Sequence, residues 1–315
     1  MTGFTLADRA LVGDLRQIAA VRRITLDDGA ERGVRALAFS TGGGLDFWAL
    51  SDRALDIGPL WWRGVQLAWI GPSGFRSPFL HDPESEGGQG FGRMLGGLVN
   101  TGGLDHIRQP QDGHPLHGRF AFTPAGVRAY GEDWDRPEPL LFAEAEATQG
   151  VRGGPSLRLH RRIEAPIGGT RLLIIDTVEN IGPQPVPQAM LYHCNLGFPV
   201  VGPGTVVTAQ GETLLGPIAG PDSAAATVVT CHPVAGETGA CRVRGAVDVV
   251  FRFDADTLPY LQLMHDLRPH SMIVAVEPCS SARLEGGRSG PERMLAPGEK
   301  RRYQVSIAVD ASPGV

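Results

Sequence analysis

Three short stretches of this 315-residue chain gather side chains able to move protons. TGGLDHIRQPQDGHPLHG, residues 101–118, places Asp105, His106, Arg108, Asp112, His114 and His117 within thirteen positions. LYHCNLGFP, residues 191–199, carries His193 and Asn195 inside what otherwise reads as a buried strand. VAVEPCSS, residues 274–281, sets Glu277 behind the apolar run SMIVAV.

A carboxylate at the end of a buried strand costs free energy unless it is paired or used, because burial disfavours its charged form and raises its pKa. That shift is also how a general base is prepared. A salt bridge to one of the many arginines is the plainer alternative. Side chains alternate along a strand, so Leu191, His193 and Asn195 share one face while Tyr192, Cys194 and Leu196 share the other. A face carrying both His193 and Asn195 suits a polar cleft, although a histidine satisfied within the core fits the same residue.

Other chemistries lack their anchors. A metal set of His114, His117, His193 and Glu277 would rest on an H-x-x-H spacing with Pro115 inside it and no HExxH helix, so no metal and no cofactor is expected. Neither a G-x-S-x-G elbow nor a phosphate-cradling GxxxxGK[ST] loop occurs. Arg53 and Asp56, in SDRALDIG, suit either a paired turn or a substrate clamp. Trp48, Trp61, Trp62, Trp69 and Trp134 suit half-buried strands or a sugar-stacking surface.

The elements that must position these groups read as β-strands. RALAFS, LDFWAL, VQLAWI, LRLHRRIEA, TRLLIIDTVEN, QAMLYHCNL, VDVVFRFD, YLQLMHDL, SMIVAVEP and RRYQVSIAVD are short apolar or alternating runs, and glycine and proline punctuate them. The one helical candidate is LADRALVGDLRQIAAV near the start. Residues 71–92 and 100–118 read as long loops, the second functional. Residues 210–240 read as a surface segment without chemistry of its own. No linker or internal repeat appears, so one domain over 1–315 is expected.

Net charge is −5 with a sequence pI near 6.0, and no run of five like charges occurs, which disfavours nucleic acid. The N-terminal segment lacks a signal peptide's apolar core, and no apolar run approaches the ~18 residues of a membrane span, so a cytoplasmic location without membrane contact is expected. Cys194, Cys231, Cys241 and Cys279 lack CxxC spacing and read as buried free thiols.

With these clusters in this order, the chain resembles the aldose 1-epimerase (galactose mutarotase) superfamily, and within it the DUF4432 branch. HPLHG matches the family's LHGG loop, LYHCNLGF its NHSYFNL strand, and VAVEPC the strand bearing its catalytic glutamate. SDRALDIG and GLDH, residues 103–106, resemble DUF4432 in particular. Arg119 stands where LHGG has its second glycine, and Cys194 and Asn195 where the strand motif has Ser and Tyr. The resemblance implies an all-β, galactose mutarotase-like β-sandwich (supersandwich) with the site on its concave face.

It further implies that His117 orients the sugar, His193 protonates the ring oxygen and Glu277 takes the C1 hydroxyl proton, with Arg93 near a family arginine segment. Arg53, Asp56, Arg93, Asp105, His106, Arg108 and Asn195 are the expected substrate-binding residues, and Arg53, Arg93 and Arg108 make an acidic sugar conceivable. The partner implied is a small-molecule carbohydrate, with homodimer formation left open. A non-catalytic sugar-binding protein, and a metal-assisted isomerase or epimerase acting at C2 or C3 through Asp105, His106, His114 and Glu277, are the alternatives.

Overall fold

A computed structural model describes residues 6–310. The alternating runs form strands because a period of two puts every second side chain on one face of a pleated sheet. Ser156–Pro166 and Arg171–Asn180 bury alternate residues along their whole length. They lie in an antiparallel sheet of nine strands, in the order Glu212–Leu215, Val206–Ala209, Thr238–Arg244, Asp248–Asp254, Lys300–Asp310, Arg171–Asn180, Ser156–Pro166, Leu140–Gly150, Gly126–Asp133.

A second sheet has five strands, ordered Val228–Pro233, Tyr260–Asp266, Ile273–Cys279, Ala189–Leu196, Val99–Leu104, all antiparallel. Its Ile273–Cys279 and Ala189–Leu196 strands are buried at every position, so both faces are covered. A third sheet pairs Ala20–Thr25, Arg35–Ser40, Leu45–Leu50, Asp56–Trp62 and Val65–Gln66 in chain order. One apolar core draws on all three, including Phe39 and Phe47, Ile163 and Val305, and Tyr192 and Val276.

Beneath the second sheet lies a buried ion cluster. Arg161 donates to Asp176 (2.8 and 2.7 Å), to Asp56 (2.5 Å) and to the Thr101 hydroxyl (2.8 Å). Tyr192 donates its hydroxyl to Asp176 at 2.7 Å, so the back of the His193 strand is tied to the nine-stranded sheet.

Four expectations change. Of VQLAWI only Val65–Gln66 pairs as a strand. The N-terminal helix is replaced by 3-10 turns over Leu6–Leu11 and Leu15–Gln17, followed by a strand from Ala20. Gly13 interrupts the periodicity, Asp14 caps a new turn by accepting from the Arg16 N–H, and pairing with Arg35–Ser40 claims Ala20 and Val21 for the core. The loop expected from residue 100 begins as the buried strand Val99–Leu104. Its glycines mark close approach: a Cβ on Gly102 would lie 3.2 Å from the His117 Cβ, and one on Gly103 2.6 Å from the Ala189 carbonyl. Residues 210–240 contribute Val228–Pro233 as an edge strand of the second sheet.

Candidate active site

The second sheet lines up polar side chains in one cross-strand row. His193 pairs with Asn100 on one side, and the register places it abreast of Glu277 on the other. Glu277 pairs with Gln262, and Gln262 with Cys231. All five strands thus contribute a side chain to one level of the sheet, four of them amide, imidazole or carboxylate groups and the fifth the Cys231 thiol.

His193 and Glu277 are nearly or wholly buried, and His193 Nε2 lies 3.4 Å from Glu277 Oε1. The tautomers follow from fixed donors. Asn195 Nδ2 donates to the carbonyls of Gly97 (3.0 Å) and His193 (3.2 Å), which identifies its nitrogen; its oxygen therefore faces His193 Nδ1 at 2.6 Å. His193 carries a proton on Nδ1 and turns Nε2 toward the carboxylate. Glu277 Oε2 accepts from Gln262 Nε2 at 2.5 Å, whereas Oε1 has no hydrogen-bond partner. Burial pushes the Glu277 carboxyl above its ordinary range, against the pull of His193 and Gln262.

The loop before residue 118 supplies His117. Its backbone lies in the left-handed region at φ +56°, uncommon for a residue with a side chain. The loop holds it there: the His117 N–H donates to the Arg108 carbonyl at 2.8 Å, and the Arg108 N–H donates to His117 Nδ1 at 3.1 Å. A nitrogen that accepts carries no proton, so His117 presents Nε2–H outward. Burial holds its pKa well below the usual histidine value, which keeps it neutral. Phe91, on the turn Gly90–Arg93, packs against both imidazoles, with centroids 4.9 Å from His117 and 5.8 Å from His193.

These groups border a cavity of about 170 Å³ whose walls include Phe91, Arg108, His117, His193, Gln262 and Glu277. That is below the range of pockets for drug-sized ligands and suits a molecule the size of one sugar ring. Ligand atoms of His117, His193 and Glu277 lie within 4.8 Å of one another, the only such group among the described residues. The donor set fits a cation poorly, because His117 Nε2 holds the proton that a ligating nitrogen must lose. Asp105, His106 and His114 do not join it.

The other expected residues divide sharply. Arg108 lines the cavity, but its guanidinium is engaged by Gln262 and the Ser281 carbonyl, by the Ala282 carbonyl at 3.2 Å, and by Cys279 Sγ at 3.3 Å. Asn195 orients His193 from behind. Arg53 is buried away from the cavity, donating to the carbonyls of Met94 (3.1 Å) and Arg76 (2.7 Å), so it pins the 71–98 loop; burial lowers its pKa to about 10. Asp56 belongs to the Arg161 cluster, where Thr101 donates to it through both backbone N–H and hydroxyl.

Arg93 is exposed and paired with Glu86. Asp105 pairs with His114 at 3.2 Å, and His106 donates Nε2–H to the Gln109 carbonyl at 2.8 Å; both shape the loop without lining the cavity. Sequence reasoning passed over Gln262, Phe91 and Arg283, which do line it. The alternation of YLQLMHDL offered a signal for Gln262, a polar residue on a strand otherwise apolar at its centre. All four cysteines are free.

The DUF4432 family, described as a domain of unknown function, matches residues 31–309, and the chain belongs to it. No protein with a curated description matches. Among solved structures, a Klebsiella pneumoniae protein with a provisional aldose 1-epimerase assignment superposes with a TM-score of 0.83 at 18% identity, over 96% of this chain and 86% of that one. A galactose mutarotase-like protein of Clostridium acetobutylicum gives 0.59 at 13% identity, over 92% and 98%. The galactose 1-epimerase of Lactobacillus acidophilus gives 0.56 at 11%, over 92% and 98%. At these identities the likeness establishes the fold, a galactose mutarotase-like β-sandwich. Among the described residues no helix is long and apolar enough to cross a membrane.

Proposed function

We propose that this DUF4432 protein is a carbohydrate epimerase, a single mutarotase-like domain that interconverts sugar anomers by general acid–base catalysis without a cofactor. The observation that carries the reading is the unsatisfied Glu277 Oε1 facing His193 Nε2 at 3.4 Å in the cavity wall. A carboxylate whose pKa is raised by burial, set beside an imidazole, supplies a base and an acid at one point of the cavity wall.

In the forward step, which starts with Glu277 ionised and His193 protonated on both ring nitrogens, Glu277 takes the proton of the C1 hydroxyl, the C1–O bond to the ring oxygen breaks as C1 becomes a carbonyl, and His193 Nε2–H protonates the ring oxygen. Glu277 ends protonated and His193 neutral. Rotation about C1–C2 presents the other carbonyl face, and closure reverses both transfers. His117 Nε2–H donates to a sugar oxygen and fixes the ring, while Phe91 packs against it. Atoms and charge balance with no redox partner.

Two-dimensional exchange NMR on a panel of neutral and acidic sugars tests this. Accelerated α/β exchange that disappears in Glu277→Gln supports the proposal. Binding without acceleration of any sugar would leave a sugar-binding protein on the same scaffold.

A further inference from the structure

The arginines that the sequence offered as anion receptors are occupied elsewhere: Arg53 on backbone carbonyls, Arg93 on Glu86, Arg108 on Gln262 and two carbonyls. One guanidinium in the cavity wall is not. Arg283 is half-buried, lines the cavity, and has neither an ion-pair partner nor a side-chain hydrogen bond among the described residues. Glu277 is the single acid among the lining residues, and its Oε1 faces His193; Arg283 acts on this carboxylate only through space, with no ion pair or hydrogen bond between them.

The surrounding turn is built around this side chain. The Leu284 N–H donates to the Arg288 carbonyl at 2.9 Å and the Gly287 N–H to the Leu284 carbonyl at 3.1 Å, which folds the segment back over Arg283. Gly287 lies at φ +77°, and a Cβ there would sit 2.9 Å from Arg283 Nη2 and 3.2 Å from its Cζ. Glycine leaves the space the guanidinium occupies. Behind it, Arg108 holds the Ser281 and Ala282 carbonyls, so the backbone leading into Arg283 is fixed. The result is a held cation at the less buried side of the cavity, with the proton-transfer pair on its buried floor.

We infer that Arg283 is an anion-recognition residue and that the sugar bound here carries a carboxylate remote from its anomeric carbon, as a uronic acid does. The inference rests on the sugar-site reading of the cavity. A single guanidinium matches a planar monoanion through two parallel N–H···O bonds. A phosphate dianion would find one arginine where it needs more charge and more donors.

Isothermal titration with glucuronate and galacturonate, the parent hexoses and their 6-phosphates tests it, on the wild type, Arg283→Gln and Arg283→Lys, alongside anomer-exchange NMR. At low salt the wild type is expected to bind a uronate about tenfold or more tighter than its parent hexose. That ratio should fall toward one in Arg283→Gln and keep part of its value in Arg283→Lys, which retains the charge without the fork. Because each variant is judged by its own uronate-to-hexose ratio, a general loss of folding does not mimic the result. No uronate binding, a wild-type ratio near one, or a preference surviving in Arg283→Gln overturns the inference. A preference confined to sugar phosphates overturns the carboxylate assignment. Selective uronate binding without anomer exchange upholds the anion site and removes the epimerase reading; exchange without any preference does the reverse.

Discussion

Glu277 Oε1 lies 3.4 Å from His193 Nε2, and no hydrogen-bond donor satisfies it. In the proposed mechanism one member of the pair gives a proton while the other takes one. The rate should therefore follow a bell in pH, with the acid limb marking protonation of the Glu277 carboxylate.

The acid limb is adjustable through Gln262, whose amide donates to Glu277 Oε2 and lowers its pKa. Gln262→Leu removes that donor, so the Glu277 carboxyl holds its proton to higher pH. The limb in kcat/KM is expected to move to higher pH. An unmoved or lower limb contradicts the assignment of Glu277 as the base.

Glu277 also gives a stability signature. Its folded pKa is raised by burial, so the folded state holds the proton more tightly than the unfolded chain. Stability is then lost as pH rises from about 4.5 through the folded value, and no such loss occurs below the unfolded pKa. Glu277→Gln escapes this loss. Its melting temperature should exceed that of the wild type by a few degrees at pH 8, with the gap closing toward pH 4.5. A gap that is absent or widens as pH falls rejects a raised Glu277 pKa.

Asn195 contacts His193 and is absent from the cavity wall, so its expected effect on the reaction runs through His193. Its oxygen fixes the Nδ1 proton, and its nitrogen is anchored on Gly97 and on Asn100 (3.1 Å). Asn195→Ala frees the imidazole to turn. kcat should fall about tenfold or more with KM little changed, because misorientation affects proton transfer more than binding. A rise in KM at constant kcat would place Asn195 in sugar binding instead.

Much of this arrangement was legible in the sequence because a period of two survives polar substitution. LYHCNLGFP revealed which face His193 and Asn195 share, and SMIVAVEP revealed that Glu277 follows a buried run. Register was not legible: that Gln262 stands beside Glu277 depends on pairing between strands distant in sequence. NTGGL concealed a strand because its glycines answer to neighbouring backbone rather than to propensity. Arg53, Asp56 and Arg93 were plausible by type, yet charge alone does not reveal that two are spent on burial and one on a surface pair. Arg283 was missed for the converse reason, since only the fold shows which arginine in the cavity wall makes no ion pair or side-chain hydrogen bond.

The buried Arg161 cluster ties the reverse side of the His193 strand to the large sheet. Arg161→Met leaves Asp56 and Asp176 buried without their cation, and should cost about 3–5 kcal/mol, read as a lower urea midpoint. A loss below about 1 kcal/mol would show that the carboxylates find other compensation.

In the proposed reaction no proton leaves or reaches carbon, and one experiment in D₂O addresses this. Proton NMR would follow α/β exchange together with the C2–H and C3–H intensities of the sugar the protein turns over, in wild type and Glu277→Gln. Accelerated exchange with both carbon-bound signals constant, abolished by the substitution, is the predicted result. Loss of the C2–H or C3–H signal into solvent, or acceleration that persists in Glu277→Gln, would contradict the account and point to chemistry at C2 or C3 instead.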